Sequence, residues 1–277
     1  MFLKTIKSTV VFALFLSFLS CSDYQKILNN PDNNLKYKAA EEYYKSGSYR
    51  KANRLFEQIV PSYRGKPQAQ RIIYFYANTY FQVKDFNLAA YQFESFAKSY
   101  PKSDRLQEAN FMSAKSYYML SPRFSLDQQD TYKAIDKLQI FLDNYPESEF
   151  SDEANTLIAE LQVKLEKKSF EISKKYYIIR DYKAAMNSFD NFISDYPGTQ
   201  FKEEALYYKF LSNFELAINS IFTLKKERLA EAKEIGNTLL RYFPESIFLQ
   251  DVDRKFENIE KELTLIDQLT TNTKQLG

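Results

Sequence analysis

Along this chain the apolar positions follow a helical period, and the pattern itself recurs. Ala52/Phe56, Ala89/Phe93, Ala134/Leu138 and Ala185/Phe189 are spaced i,i+4, which puts both members of each pair on one helical face. A weaker fifth copy reads Ala232/Gly236. Downstream of each pair from the second onwards comes an aromatic, a proline and a hydroxyl: Tyr100-Pro101 with Ser103, Tyr145-Pro146 with Ser148, Tyr196-Pro197 with Thr199, and Phe243-Pro244 with Ser246. Proline stops one helix and the hydroxyl caps the next, so each copy predicts a pair of helices. The copies are 37 to 51 residues apart, the spacing of stacked helix pairs. The fold class is therefore all-α, an α-solenoid of about five helix pairs.

The pairs are expected at about 35–44 with 49–60, 68–82 with 86–99, and 104–120 with 130–144. A break from Pro61 to Pro67 separates the first two, and residues 121–129 form an insertion inside the third. From Ser151 to Arg180 there is neither Pro nor Gly, so one helix of up to about 45 Å fits. It turns at Asp181 into a helix ending near Tyr196. A fifth pair covers about 201–220 and 225–242. The last helix, about 246–269, has Val252, Phe256, Ile259, Leu263 and Ile266 on one seam and reads as an end cap.

Composition agrees and narrows the chemistry. Five Gly against 22 Tyr and 24 Phe suits long packed helices. There is no His, which removes the commonest metal ligand and the usual neutral-pH base, and the one Cys allows neither an internal disulfide nor a zinc cluster. Carboxylates such as Glu108 and Glu153 stand at helix starts, where they complement the dipole. No enzyme, metal or cofactor is expected.

The N-terminus carries an address. Lys4 and Lys7 precede an apolar run, 9–19, that is too short to span a bilayer permanently. It ends Ser17-Phe18-Leu19-Ser20-Cys21, which resembles a bacterial lipobox with Phe18 where Leu is usual. Residues 1–20 then read as a lipoprotein signal peptide, Cys21 as the acylated first residue of the mature chain, and 21–34 as a flexible tether. Among such lipoproteins Ser22, not Asp, implies the outer membrane. The folded part divides into an N-terminal half, 35–145, and a C-terminal half with the capping helix, 146–277. Removing the two signal lysines leaves the chain, with 38 basic and 36 acidic residues, neutral. Neither nucleic acid nor anionic lipid is then an evident partner, and the basic run Lys164, Lys167, Lys168, Lys174, Lys175 reads as a solvated helix face.

The second pair fits the tetratricopeptide (TPR) pattern in register, with Ala77, Tyr80, Ala89, Phe93 and Pro101 at its small, aromatic, Ala, Phe and Pro positions. Ala40, Tyr43, Ala52 and Phe56 match in the first pair, and Ser173, Tyr176, Ala185, Phe189 and Pro197 in the fourth. The TPR tryptophan is replaced by Lys36, Ile73 and Ser169. The lipobox, Leu55 to Gly65, the Ser121-Pro122-Arg123 insertion and the segment Phe141 to Ser148 together resemble the BamD family of outer-membrane lipoproteins. That resemblance covers nearly all of the mature chain and departs from the pattern at Gly236. It implies a scaffold of the β-barrel assembly (BAM) complex, lipid-anchored on the periplasmic side of the outer membrane. Its partners would be the POTRA region of a BamA-type barrel protein, other BAM subunits and unfolded outer-membrane proteins. Other periplasmic TPR lipoproteins, such as division or polysaccharide-export adaptors, share the lipobox and repeats. A glycan-binding TPR lipoprotein is disfavoured by the absence of Trp.

In the TPR register, first-helix positions 5 and 12 face the groove. Here they are Tyr37/Tyr44, Tyr74/Phe81, Phe111/Tyr118 and Phe170/Tyr177, all aromatic, with Glu41, Asn78, Lys115 and Lys174 at position 9. An aromatic ladder for an extended peptide is expected, since barrel strands alternate apolar and polar residues.

Overall fold

The computed structural model describes the backbone of residues 23–275 and side chains to residue 271; the signal peptide and Cys21 lie outside the described residues. The described residues form helices and no strand. A short helix α1 (23–28) precedes α2 (Asn33–Lys45), α3 (Tyr49–Tyr63), α4 (Ala69–Gln82), α5 (Phe86–Ser99), α6 (Leu106–Leu120) and α7 (Gln129–Asn144). Then come α8 (Ser151–Ile178), α9 (Tyr182–Asp195), α10 (Lys202–Ile218), α11 (Phe222–Tyr242) and α12 (Leu249–Gln275). The order is that of TPR-like helix pairs followed by one further long helix.

Contacts divide the chain into two compact units. Unit 1 holds the residues up to Pro122 with Asp127–Leu161, and unit 2 holds Arg123–Leu126 with the residues from Gln162. The expected boundary at Tyr145 falls before α8, whereas the division lies inside it. In unit 1 each helix from α2 to α7 packs on the next, and in unit 2 α9 to α12 do the same.

The recurring small and bulky residues form the cores. Ala52, Ala89, Ala134, Ala185 and Ala232 are fully buried, as are Phe56, Phe93, Leu138 and Phe189. Alanine at the crossing lets two helices approach closely, and the bulky residue one turn later fills the gap beside it. At Gly236 that gap is filled from outside. An added Cβ would stand 2.5 Å from Cε1 of Phe256 on α12 and 3.1 Å from the Phe210 ring. The capping helix thus supplies the ring that α11 lacks.

The turns between pairs repeat in atomic detail. Tyr100, Tyr145, Tyr196 and Phe243 each close their helix by donating a backbone N–H to Phe96, Phe141, Phe192 and Leu239. The hydroxyls of Ser103, Ser148, Thr199 and Ser246 each accept the N–H two residues on, at Arg105, Phe150, Phe201 and Phe248. The hydroxyl therefore caps the connecting turn, and the regular helix starts a few residues later. In three of the pairs the inner turn uses a left-handed residue: Gly47 (φ 75°), Lys84 (φ 66°) and Arg180 (φ 64°). Asp85 and Asp181 follow two of these and cap α5 and α9.

Two expectations change. Residues 23–28 are helical and packed: Leu28 is buried, and Tyr24 stacks edge-on against Tyr43 with ring centroids 5.5 Å apart. This part of the expected tether is folded because its apolar residues have a surface to cover. Helix α3 also continues past Pro61 to Tyr63. Tyr63 is buried and its hydroxyl donates to Asn34 Oδ1 at 2.8 Å, which holds the last turn in place.

Candidate peptide groove

In unit 1 the first helices α2, α4, α6 and the start of α8 are joined by polar links between neighbours. Arg71 on α4 pairs with Glu41 on α2 at 2.7 Å, and Glu41 also accepts the Tyr37 hydroxyl at 2.8 Å. Tyr44 on α2 donates to Asn78 on α4 at 2.8 Å. Further along, Lys115 on α6 pairs with Glu153 on α8 at 2.6 Å, and Tyr118 donates to Glu160 at 2.5 Å. Three of the four position-9 residues named from the sequence are thus already engaged across helices. In unit 2 the fourth, Lys174, lies 4.7 Å from the Tyr208 ring centroid on α10. Tyr207 there donates to Asp251 on α12 at 2.8 Å.

These links shift the titration of the groups that make them. Burial, reinforced by the bond to Glu41, pushes the Tyr37 hydroxyl up to about 12. The bond to Glu160, with burial second, does the same for Tyr118, also to about 12. For Lys174 burial works downward but is outweighed by the Tyr208 hydroxyl together with the charges of Glu171 and Glu204, and the ammonium pKa is raised. The phenols remain neutral donors and the lysine a cation at any physiological pH.

The eight predicted ladder residues separate into two environments. Tyr74, Phe111 and Phe170, all at position 5, are 2 % exposed and cannot offer a ring face to a ligand. The reason lies in the turn described above. The residue whose N–H binds the turn hydroxyl lies over the preceding position-5 ring. Phe150 stacks on Phe111 (5.0 Å, 10° between planes), Phe201 stacks on Phe170 (5.4 Å, 15°), and the Arg105 guanidinium sits 4.4 Å from the Tyr74 ring centroid. These three rings are core residues, contrary to the expected ladder. Tyr37, which no such residue covers, stays half-buried, as do the position-12 rings of Tyr44, Phe81, Tyr118 and Tyr177.

What the sequence reading missed is a cavity at the start of α4 and α6. It has a volume of about 450 Å³ and is lined by Arg71, Phe75, Arg105, Gln70 and Asp104, among others. Phe75 forms an aromatic wall between two guanidiniums, 5.4 Å from Arg71 and 5.9 Å from Arg105. Phe75 directly follows a position-5 residue, and Arg105 occupies the place held by Phe150 and Phe201 in later turns. The register pointed to both positions. Both guanidiniums already pair with carboxylates, Arg71 with Glu41 and Arg105 with Glu108 at 3.0 Å, so the wall offers an apolar side chain a fixed ring face with polar groups at its rim.

Comparison with known proteins identifies the setting. The profile of the family described as "YfiO: Outer membrane lipoprotein" matches residues 29–229 and 166–273. The outer membrane protein assembly factor BamD of Rickettsia prowazekii (strain Madrid E) is 23% identical over 212 residues, 76% of this chain and 80% of that protein. BamD of Pasteurella multocida (strain Pm70) is 22% identical over 218 residues, 74% and 82% of the two chains. Among solved structures, the TPR2AB domain of yeast Sti1 in its complex with pHSP90 covers 82% of this chain and 98% of its own, at 11% identity and a TM-score of 0.37. That score is too low to add to the fold argument. Helix pairs, repeating turns and a profile match over most of the length agree: the chain belongs to the YfiO family of outer membrane lipoproteins.

Proposed function

We propose that this chain is a non-enzymatic scaffold for outer-membrane protein assembly, acylated at Cys21 after removal of residues 1–20 and held on the periplasmic face of the outer membrane. It binds the POTRA region of a BamA-type barrel protein and other subunits of that machinery, and it receives unfolded barrel proteins. The match to the outer membrane lipoprotein family supports the location, and the relatives named as assembly factors support the role.

The observation that carries the substrate reading is the first-helix face of unit 1. The half-buried rings of Tyr37, Tyr44, Phe81 and Tyr118 lie on α2, α4 and α6, and Tyr44 meets Phe75 of the Arg71–Phe75–Arg105 cavity with ring centroids 4.7 Å apart. An unfolded barrel strand offers alternating apolar side chains and aromatic girdles, which such a face fits without demanding one sequence. Polar links between neighbouring first helices hold the rings in place beforehand, so less side-chain entropy is lost on binding. Tyr177 offers a similar ring in unit 2.

The test is affinity purification of the lipidated protein from cross-linked membranes, with mass spectrometry of what is captured. Recovery of a BamA-type barrel protein supports the role. Its absence from a clean purification transfers the function to another envelope complex. For the substrate face, Phe75→Ala with Tyr118→Ala should weaken binding of a barrel-strand peptide at least about tenfold while the helical signal stays intact. Unchanged affinity removes the groove from the account.

A further inference from the structure

A second surface of unit 1 adjoins the groove at the ends of α2 and α4. Helix α1 folds back along the first pair, so that Tyr24 reaches the turn between α2 and α3. Its hydroxyl donates to the Lys51 carbonyl at 3.2 Å, and the Lys51 ammonium lies 5.5 Å from its ring centroid. Around this turn the sequence places Lys45, Arg50, Lys51, Arg54 and, on the next pair, Lys84. Arg50, Lys51 and Lys84 line one cavity of about 620 Å³ with Gly47 and Gln82. Among the described residues none of these five cations forms a salt bridge.

The nearest free acids in the chain are Glu42, Glu57 and Asp85, none of which pairs with these cations; Asp85 keeps its charge while accepting the Leu88 N–H. The first turn of α3 contains no carboxylate, and Asp23 pairs with Lys26 at 3.0 Å. Five cations against these three acids leave a local excess of positive charge at one end of the first two pairs of a mature chain with no net charge.

Chain connectivity says what faces that end. Cys21 is two residues from Asp23, so their Cα atoms are separated by no more than about 7 Å. With α1 packed on the first pair, an acyl group on Cys21 holds this end of unit 1 close to the bilayer. We infer that the surface formed by Lys45, Arg50, Lys51, Arg54 and Lys84 docks on anionic phospholipid headgroups of the leaflet that carries the anchor. The inference rests on the Cys21 reading for its geometry. The headgroup phosphate supplies the negative charge that the cavity lacks, and the anchor gives it a high effective concentration. The Arg71–Phe75–Arg105 cavity is reached from this end through Tyr44, whose ring lies 4.7 Å from that of Phe75 and 5.5 Å from that of Tyr49.

Two measurements keep this inference apart from the anchor reading. The chain beginning at Ser22, which carries no acyl group and retains every packing contact described above, is sedimented with vesicles of phosphatidylcholine with or without anionic phosphatidylglycerol. Binding is expected only to the anionic vesicles, and the double variant Arg50→Glu, Lys84→Glu should reduce it at least about tenfold. Both side chains are exposed, so thermal melting should be unchanged. Equal binding to neutral vesicles, or binding indifferent to the double variant, overturns the inference. Separately, the mass of the N-terminal peptide from membranes shows whether Cys21 is acylated. Its failure there would remove the anchor without altering the vesicle result.

Discussion

Phe111 and Tyr118 lie seven residues apart on α6, on the same side of the helix, and meet opposite fates. Phe111 is sealed between Phe141 and Phe150, while Tyr118 stays half-exposed with its hydroxyl on Glu160. The difference comes from the two ends of the pair. At the start of a first helix, the hydroxyl-capped turn of the next pair folds a ring or a guanidinium over position 5. At the far end, Tyr49, Phe86 and Tyr182 meet the position-12 rings of Tyr44, Phe81 and Tyr177 edge-on or tilted rather than face to face, and these rings stay half-buried. The aromatic stripe is thus half core and half surface, and only the surface half is available for recognition.

The comparison is broken most severely by truncating the covered ring. Phe111→Ala should cost about 3–5 kcal/mol of unfolding free energy, because it opens a cavity between the Phe141 and Phe150 rings. Tyr118→Ala should cost less than about 1 kcal/mol, as expected for a partly solvated side chain. Denaturant melts of both variants check this, and equal losses would contradict the two-environment account. Next in size is Gly236→Ala, where the new methyl meets the Phe256 ring. A loss of about 1–3 kcal/mol is expected, with partial recovery when Phe256→Leu is added.

A smaller effect separates hydroxyls from rings. Tyr44→Phe keeps the ring but leaves Asn78 Oδ1, on a residue 8% exposed, without its best donor; about 1 kcal/mol is expected. Alkaline pH sharpens the same point. Folded Tyr37 and Tyr118 titrate near 12, above the unfolded value near 10. In that window the native state holds protons that the unfolded state has lost, so stability is intact below about pH 10 and declines between about pH 10 and 12. Tyr118→Phe should flatten that decline, measured by urea unfolding across the range, and an unchanged slope would exclude Tyr118 as a contributor.

Much of this was legible in the chain. The Ala/Phe spacing and the Pro-Ser and Pro-Thr turns gave the helix pairs, because local period and local stop signals determine helices directly. The seam from Val252 to Ile266 marked the cap, though not that Phe256 fills the place of the missing ring at Gly236. The burial of Tyr74, Phe111 and Phe170 was not read, since it depends on a residue about 30 to 40 positions away. Its signal was nonetheless present: Arg105, Phe150, Phe201 and Phe248 each stand two residues after a turn hydroxyl. Tyr24 and Leu28 looked like tether residues because six residues of helix have no visible period until they meet a neighbour. Overall neutrality likewise concealed a local gathering of charge, which the stacking of the α2–α3 turn on the α4–α5 turn brings together.

The most direct test of the central claim is site-specific photo-cross-linking in membranes during barrel-protein synthesis, with a photoreactive phenylalanine placed at Phe81 and Tyr118 on the groove and at exposed Tyr91 and Tyr132 on the second helices. The account predicts capture of unfolded outer-membrane proteins from the first two positions and not from the others. Capture only from Tyr91 and Tyr132, or from none of the four, would contradict it.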